Sequence, residues 1–229
     1  MKGSILKEKY SWIWLVVLMT ILNLLFYWKF IIGKEFFLVS KDMAIQQYSS
    51  LVNWLNHIGH GIKGWSFSEG MGNSYDFSGQ TFSLNIFLLL FGKENLKYTF
   101  IWYHLIKMYL AAVLFYCALT KLGIKQKVAV YGALCYVYSA TFIVRSFWAS
   151  YALEFVLFAL LLYALECYFQ DNNWLLLVVA IVLLGTQLQL YHLVVYSVAM
   201  LCYTLIRNYL VTNYRGKKFW KYIGNCALI

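Results

Sequence analysis

The sequence is short of charged residues and contains no proline. Only 12% of its 229 residues are charged, whereas 62% are hydrophobic and the mean hydropathy is +0.65. The core of a water-soluble domain cannot absorb so much apolar surface, so the composition excludes a soluble protein. Membrane helices tolerate proline and often carry it, and we have no physical account of its absence.

Sequence signatures of nucleotide and zinc chemistry are also missing. There is no phosphate-binding loop, dinucleotide fingerprint, HExxH or paired CxxC, which argues against nucleotide-driven pumps and zinc peptidases. The acids Asp42 and Asp76 do not form a DxD motif, so we predict no metal site and no cofactor, and a need for a divalent metal stays open. The five cysteines are at positions 117, 135, 167, 202 and 226. They lie in or beside apolar stretches without paired spacing, which favours a role as small apolar side chains.

Aromatic and basic residues are abundant, and their positions indicate a bilayer. Aromatics reach 20%, and many Tyr and Trp residues fall near the ends of apolar runs, as is typical of the headgroup layer. The net charge is +10, with basic residues clustered beside hydrophobic segments. Anionic lipid headgroups are therefore expected as counterions, and nucleic acid is not a predicted partner.

Apolar runs long enough to cross a bilayer recur along the chain. A spanning helix needs about 20 residues, with roughly 17 to 25 observed. We predict an all-α polytopic membrane protein, residues 1–229 forming one transmembrane domain, with six spans at 12–32, 98–120, 128–144, 151–169, 174–191 and 193–210. Another apolar run starts at residue 222, and we expect it to begin a further span of a longer protein.

The lysines and arginines in the connections predict the orientation. Positively charged flanks stay on the cytoplasmic side. With six spans this places three basic clusters on the inside, at the amino terminus, in the 121–127 connection and at the end of the last span. They consist of Lys2, Lys7, Lys9, Lys121, Lys125, Lys127, Arg207, Arg215, Lys217, Lys218 and Lys221. We therefore predict a protein of the cytoplasmic membrane with a long first loop, 33–97, outside the cell.

This first loop is too apolar and too aromatic to be disordered, so we expect it to fold against the membrane. Apolar residues recur at three- and four-residue steps over 45–62, which predicts an amphipathic helix in the interface plane. A glycine-rich stretch over 59–73 is able to turn sharply. The apolar run 82–91 is too short to cross and is expected to dip in or lie flat.

Asp42 is the strongest candidate for a catalytic acid. It follows the first span, at the depth where a lipid-linked headgroup would meet an incoming acceptor. It also precedes the amphipathic run by one turn, where Asp is a favoured helix N-cap. The two roles are compatible, and position alone leaves both open.

Lys107 and His104 lie one turn apart, deep in the second predicted span. A cation at that depth costs at least about 2.5 to 3.5 kcal/mol and needs a partner. Two interpretations carry equal weight. Lys107 pairs with Glu154 and fixes helix packing, or it forms a cationic pocket for a lipid phosphate.

Other polar residues near span ends have less specific interpretations. Arg145 is positioned either to contact headgroups or to hold a phosphate bidentately. Glu166 is expected to snorkel from the end of its span. Gln187, Gln189 and His192 predict interhelical hydrogen bonds or, alternatively, recognition of an acceptor.

The order of these features resembles that of the bacterial YfhO-type membrane proteins. The matching positions are Ser40-Lys41-Asp42 with Gln46 and Gln47, Gly64-Trp65, Gly70-Met71-Gly72, Ser83-Leu84-Asn85, and His104 with Lys107. The resemblance covers essentially the whole chain, as the amino-terminal portion of a longer protein. The family pattern usually has a proline within the serine-leucine-asparagine stretch, and this chain has none.

The resemblance implies a GT-C-like helix bundle and an inverting glycosyltransferase. Such an enzyme moves a sugar from a polyprenyl-phosphate carrier to a glycan or teichoic-acid acceptor of the cell envelope. It implies that Asp42 is the catalytic acid of the first outer loop. We predict in addition that substrate is bound by Gln46, Trp65, His104, Lys107, Arg145 and Glu154. Two alternatives remain: a transporter or flippase of lipid-linked glycans, and a non-catalytic assembly protein.

Overall fold

The computed structural model describes residues 11–37, 48, 49, 52, 65, 66, 73, 74, 92–145, 149–187, 190–210 and 224. In these ranges the chain consists of helices, their connections and one short pair of strands. The elements are α1 Ser11–Ile31, β1 Trp65–Ser66, β2 Asn73–Ser74, α2 Gly92–Lys121, α3 Gln126–Val137, α4 Ala140–Arg145, α5 Ala149–Asp171, α6 Trp174–Gln187 and α7 Leu190–Leu210.

Four apolar helical segments are long enough to cross a membrane, as expected of a membrane protein. They are Ser11–Ile31, Glu94–Lys121, Gln126–Val144 and Ala152–Asp171, and they overlap the first four predicted spans. The apolar parts of the last two helices, Trp174–Thr186 and Tyr191–Arg207, are shorter. The six crossings and their orientation stay a prediction.

α1 presents one narrow face to the other helices and its remaining faces to the surroundings. The buried face repeats every four residues, and it consists of Ser11, Leu15, Met19, Asn23 and Tyr27. Large apolar side chains such as Trp14 and Leu25 are exposed on the other sides. A helix with apolar residues outside and polar residues at its packed face suits a lipid environment.

Hydrogen bonds fix how α1 lies against its two neighbours. Three hydrogen bonds join α1 to α2: Ser11 to Tyr116, Thr20 to Tyr109 and Tyr27 to His104. The residue numbers rise along α1 while they fall along α2, so these two helices are antiparallel. α1 and α3 run parallel, because Ser11 bonds Gln126 and Asn23 bonds Tyr138, both at a separation of 115 residues. α2 also packs against α3 and α5, which makes it the central helix.

We name the two ends of this bundle by residues that lie there. The Lys121 end holds Ser11, Lys121 and Asp171, and the Lys121 ammonium lies 2.6 Å from the Asp171 carboxylate. The Tyr27 end holds Tyr27 and His104. α5 and α7 are parallel, since Glu154 meets Tyr196 near their first turns and Glu166 meets Arg207 near their last turns.

The third predicted span, 128–144, is interrupted rather than continuous. α3 ends at Val137, and α4 begins at Ala140. The Ser139 hydroxyl accepts a hydrogen bond from the Phe142 amide at 3.2 Å, so Ser139 caps the second helix. The hydropathy of this segment carries no sign of the interruption.

Helix α2 begins within the predicted outer loop. It starts at Gly92, whereas the predicted span starts at residue 98. Its first turns carry Lys93, Glu94, Asn95 and Lys97, which an apolar run cannot include. The hydropathy pattern finds the hydrocarbon-crossing part of a helix, and a polar extension of that helix is invisible to it.

Most of the first loop lies outside the described residues. The predicted amphipathic helix 45–62, apart from Tyr48, Ser49 and Val52, and the predicted run 82–91 both lie outside them. The segment after residue 210, except Gly224, lies outside them as well.

A pair of strands was not predicted. β1 and β2 pair antiparallel, with Trp65 opposite Ser74, and the glycines of Gly70-Met71-Gly72 lie in the connection between them.

Candidate functional site

A polar cluster at the Tyr27 end brings α1 and α2 together. His104 is 2% exposed, and its Nε2 lies 3.2 Å from the Tyr27 hydroxyl. Its ring stacks on Phe37 with centroids 5.2 Å apart and an interplanar angle of 25°. Tyr27 and Phe142 contact the same ring at 5.4 and 6.5 Å. The imidazole is therefore held on several sides by aromatic rings.

Two polar nitrogens in this part of the bundle lack hydrogen bonds. Among the described residues, His104 Nδ1 and Asn23 Nδ2 are buried without a partner. Asn23 accepts a bond from the Tyr138 hydroxyl at 2.7 Å through its other side-chain atom, so its amide nitrogen is the part left over. Buried polar atoms are normally paired, so such atoms indicate a bound water or ligand, or a catalytic role.

Lys107 lies one turn beyond His104 on α2 and is 1% exposed. Its ammonium lies over the Tyr103 ring, 4.0 Å from the centroid. An aromatic face stabilises a cation by its quadrupole, and it does so without neutralising the charge. Lys107 thus brings a positive charge into the interior close to His104.

Glu154 belongs to a second cluster near the same end, between α5 and α7. Its Oε1 lies 3.1 Å from His192 Nδ1, and its Oε2 accepts a hydrogen bond from the Tyr196 hydroxyl at 3.3 Å. His192 on α7 therefore contacts α5, and the interhelical hydrogen bond predicted for it stays a prediction. A pair between Lys107 and Glu154 is not among the ion pairs of the described residues.

Sequence reasoning missed the most extensively bonded charge in the described part of the chain. Glu166 was expected to snorkel, and this is wrong: it is 0% exposed and accepts two bonds of 2.8 Å from Arg207. Tyr203 and Gln170 donate to the same carboxylate. The signal was available, because Glu166 and Gln170 on α5, and Tyr203 and Arg207 on α7, are each four residues apart on one helix face.

The remaining predicted site residues are not placed as side chains. Asp42 and Gln46 lie outside the described residues. Trp65 is described only as part of β1, and Arg145 only as the last residue of α4. Of the predicted set, the structure brings His104 and Lys107 onto one turn of α2 and joins Glu154 to α7.

No family model, curated protein or solved structure matches the chain. The described residues also contain no group of three His, Cys, Asp or Glu side chains that could hold a metal ion. A cation and an unsatisfied imidazole in a medium of low dielectric suit the binding of an anionic or strongly polar group.

Proposed function

We propose that the chain belongs to a membrane glycosyltransferase that takes its sugar from a polyprenyl-phosphate carrier, with the Tyr27 end facing the outside of the cell. The observation that carries this proposal is the buried pair His104 and Lys107. His104 has a buried nitrogen without a hydrogen bond, and the Lys107 ammonium lies over the Tyr103 ring one turn away. The oxygens of a lipid phosphate can accept a hydrogen bond from that nitrogen and interact favourably with the ammonium.

The proposed catalytic acid is tied to this pair by a short length of chain. Phe37 stacks on His104, and Asp42 follows five residues later in the sequence. Five extended residues reach at most about 18 Å. This upper bound is compatible with Asp42 acting on a substrate bound by His104 and Lys107.

The proposed reaction is a single displacement. Asp42 accepts the proton of an acceptor hydroxyl while that oxygen bonds to the anomeric carbon of the sugar. The bond from this carbon to the phosphate oxygen breaks, and the electron pair leaves with the phosphate. Lys107 stabilises the charge that grows on the leaving group, where low dielectric makes a fixed cation effective. One displacement inverts the anomeric configuration.

The supporting roles follow from position. His104 is oriented by Tyr27 and Phe37 and offers its free nitrogen to a phosphate oxygen. Gln46, Trp65 and Arg145 are proposed to contact the donor or the acceptor. Glu154, held by Tyr196 and lying beside His192, is proposed to form the wall on the α7 side.

The experiment compares the envelope glycans of cells that have and lack the intact gene, and then of cells carrying variants of the full-length protein. Asp42→Asn is expected to abolish the gene-dependent glycan, because Asn caps a helix nearly as well as Asp but is a far poorer base. The matched control is Glu35→Gln, an exposed acid next to the same span. Wild-type glycan in the Asp42→Asn strain contradicts the mechanism.

A lysine pair tests the binding pocket separately. Lys107→Met removes the buried cation, and Lys97→Met removes an exposed one on the same helix. We expect loss of the glycan in the first strain only, at equal amounts of protein in the membrane. If vesicles containing the wild-type protein move a lipid-linked sugar across the bilayer without transferring it, the protein is a flippase instead.

A further inference from the structure

A large apolar cavity lies away from the His104 and Lys107 pair, between α5, α6 and α7. Its volume is about 480 Å³. α7 contributes one helix face at three- and four-residue steps, formed by Leu193, Tyr196, Ser197, Met200, Leu201 and Thr204. The facing walls are mostly leucine and isoleucine from α5 and α6.

An empty space of this size is unfavourable. Well-packed protein interiors leave few voids larger than a water molecule, because an empty space deprives its walls of dispersion contacts. Water is a poor occupant, since it needs two to four polar partners and this lining offers few. Of the lining hydroxyls, that of Tyr196 already donates to Glu154. The occupant is therefore apolar.

The cavity is reachable from the surroundings of the bundle. Leu201 lines it and is half exposed. Gly185 also lines it and is exposed, and a Cβ added at this glycine would meet no atom within 4 Å. The cavity therefore has exposed lining residues on both α6 and α7. Around a membrane-embedded bundle, the surrounding medium is itself hydrocarbon.

Charges at both ends of the cavity are already matched. Glu154 lies beside His192 near one end, and Glu166 is paired with Arg207 near the other. Neither pair leaves a cation for a lipid phosphate to neutralise. The cavity thus fits the neutral part of a lipid, unlike the pocket at His104 and Lys107.

The extent of the cavity along α7 is close to the length of one acyl chain. From Leu193 to Thr204 it follows eleven residues of α7, about 17 Å by helical rise. This is close to half of the roughly 30 Å hydrocarbon thickness of a bilayer, which is the depth of one leaflet. We propose that the cavity binds one acyl chain of a bilayer phospholipid, independently of the proposed glycosyltransferase activity.

Photo-crosslinking tests this proposal. The full-length protein is reconstituted in phosphatidylcholine vesicles that contain a phosphatidylcholine with a diazirine in its acyl chain, and adducts are mapped by peptide mass spectrometry. We expect adducts at Leu193, Ser197 and Ile181, in addition to those on exposed α1 residues such as Leu25. Absence of adducts inside the cavity of the wild-type protein contradicts the proposal.

Cavity-filling variants make the test specific. Gly185→Leu and, from the opposite wall, Ser197→Leu are expected to lose most cavity adducts and to keep those at Leu25. Val182→Leu adds bulk to an exposed position of α6 and should leave the adducts unchanged. Protection of the buried Cys167 thiol from alkylation reports that each variant is folded.

Two results overturn the inference. One is cavity adducts that persist in both folded filling variants. The other is their displacement by a small proportion of polyprenyl phosphate, which would make the lipid carrier the occupant. Neither readout measures sugar transfer, so failure of the proposed enzymatic function leaves this test unaffected.

Discussion

The His104 imidazole at the Tyr27 end and the Glu166 carboxylate at the Lys121 end are both buried, but they differ in how completely they are hydrogen-bonded. Four donor atoms of three side chains surround the Glu166 carboxylate. His104 has one hydrogen bond and one nitrogen without a partner among the described residues. We call a network saturated when all of its buried polar atoms are hydrogen-bonded, and such a network has no atom left to bind a ligand. An unsaturated network has at least one such atom. The first is therefore expected to serve stability and the second function.

Breaking the saturated network should have the largest effect. Glu166→Gln leaves the Arg207 guanidinium buried without a counter-charge, so we expect the free energy of unfolding to fall by about 3 to 5 kcal/mol. Thermal unfolding in detergent, followed by the reactivity of the buried Cys167 thiol, measures this change. The control Glu94→Gln alters an exposed acid on α2 and should melt like the wild type.

The double variant Glu166→Met with Arg207→Met should recover most of the lost stability, because no buried charge is left uncompensated. A double variant that melts no higher than Glu166→Gln alone would mean that the pair contributes through something other than charge compensation.

Removing one hydroxyl from the same network should have a smaller effect. Tyr203→Phe deletes the hydrogen bond to the Glu166 carboxylate, and a bond to a charged group contributes about 1.5 to 3 kcal/mol. The same melting measurement applies. Tyr191→Phe, at an exposed position of the same helix, is the matched control and should show no change. Equal melting temperatures of Tyr203→Phe and Tyr191→Phe would show that the remaining donors to Glu166 compensate fully for the lost hydroxyl.

Replacing the polar pair at the other end should barely change stability. In the double variant Tyr27→Phe with His104→Phe, both partners of one hydrogen bond become apolar rings of similar shape, and the unsatisfied nitrogen disappears. We expect the free energy of unfolding to stay within about 1 kcal/mol of the wild type. The proposed glycan transfer should be lost. A fall in stability as large as that of Tyr203→Phe would assign this end a structural role instead.

The sequence predicts the helices well and the polar contacts unevenly. Apolar run length located the four long segments, because hydrocarbon thickness directly sets that length. The break at Ser139 escaped prediction, since its cause is one side-chain hydrogen bond. His104 and Lys107 were recognisable because a cation inside an apolar run is conspicuous. Glu166 was misjudged because its partners on α7 are about 40 residues away. The four-residue spacings mark a polar face on each helix, but the sequence does not show that these two faces meet.

The smallest effect is expected at the exposed ion pair of the Lys121 end. Lys121 and Asp171 form a contact as short as those of Glu166 with Arg207, but their side chains are 27% and 55% exposed. Water and salt screen such a pair, and holding two mobile side chains offsets its attraction. Asp171→Asn should therefore leave the melting temperature unchanged at low and at high salt. A fall comparable to that of Glu166→Gln would mean that an ion pair stabilises this bundle regardless of burial, and the contrast between its saturated and unsaturated clusters would lose its physical basis.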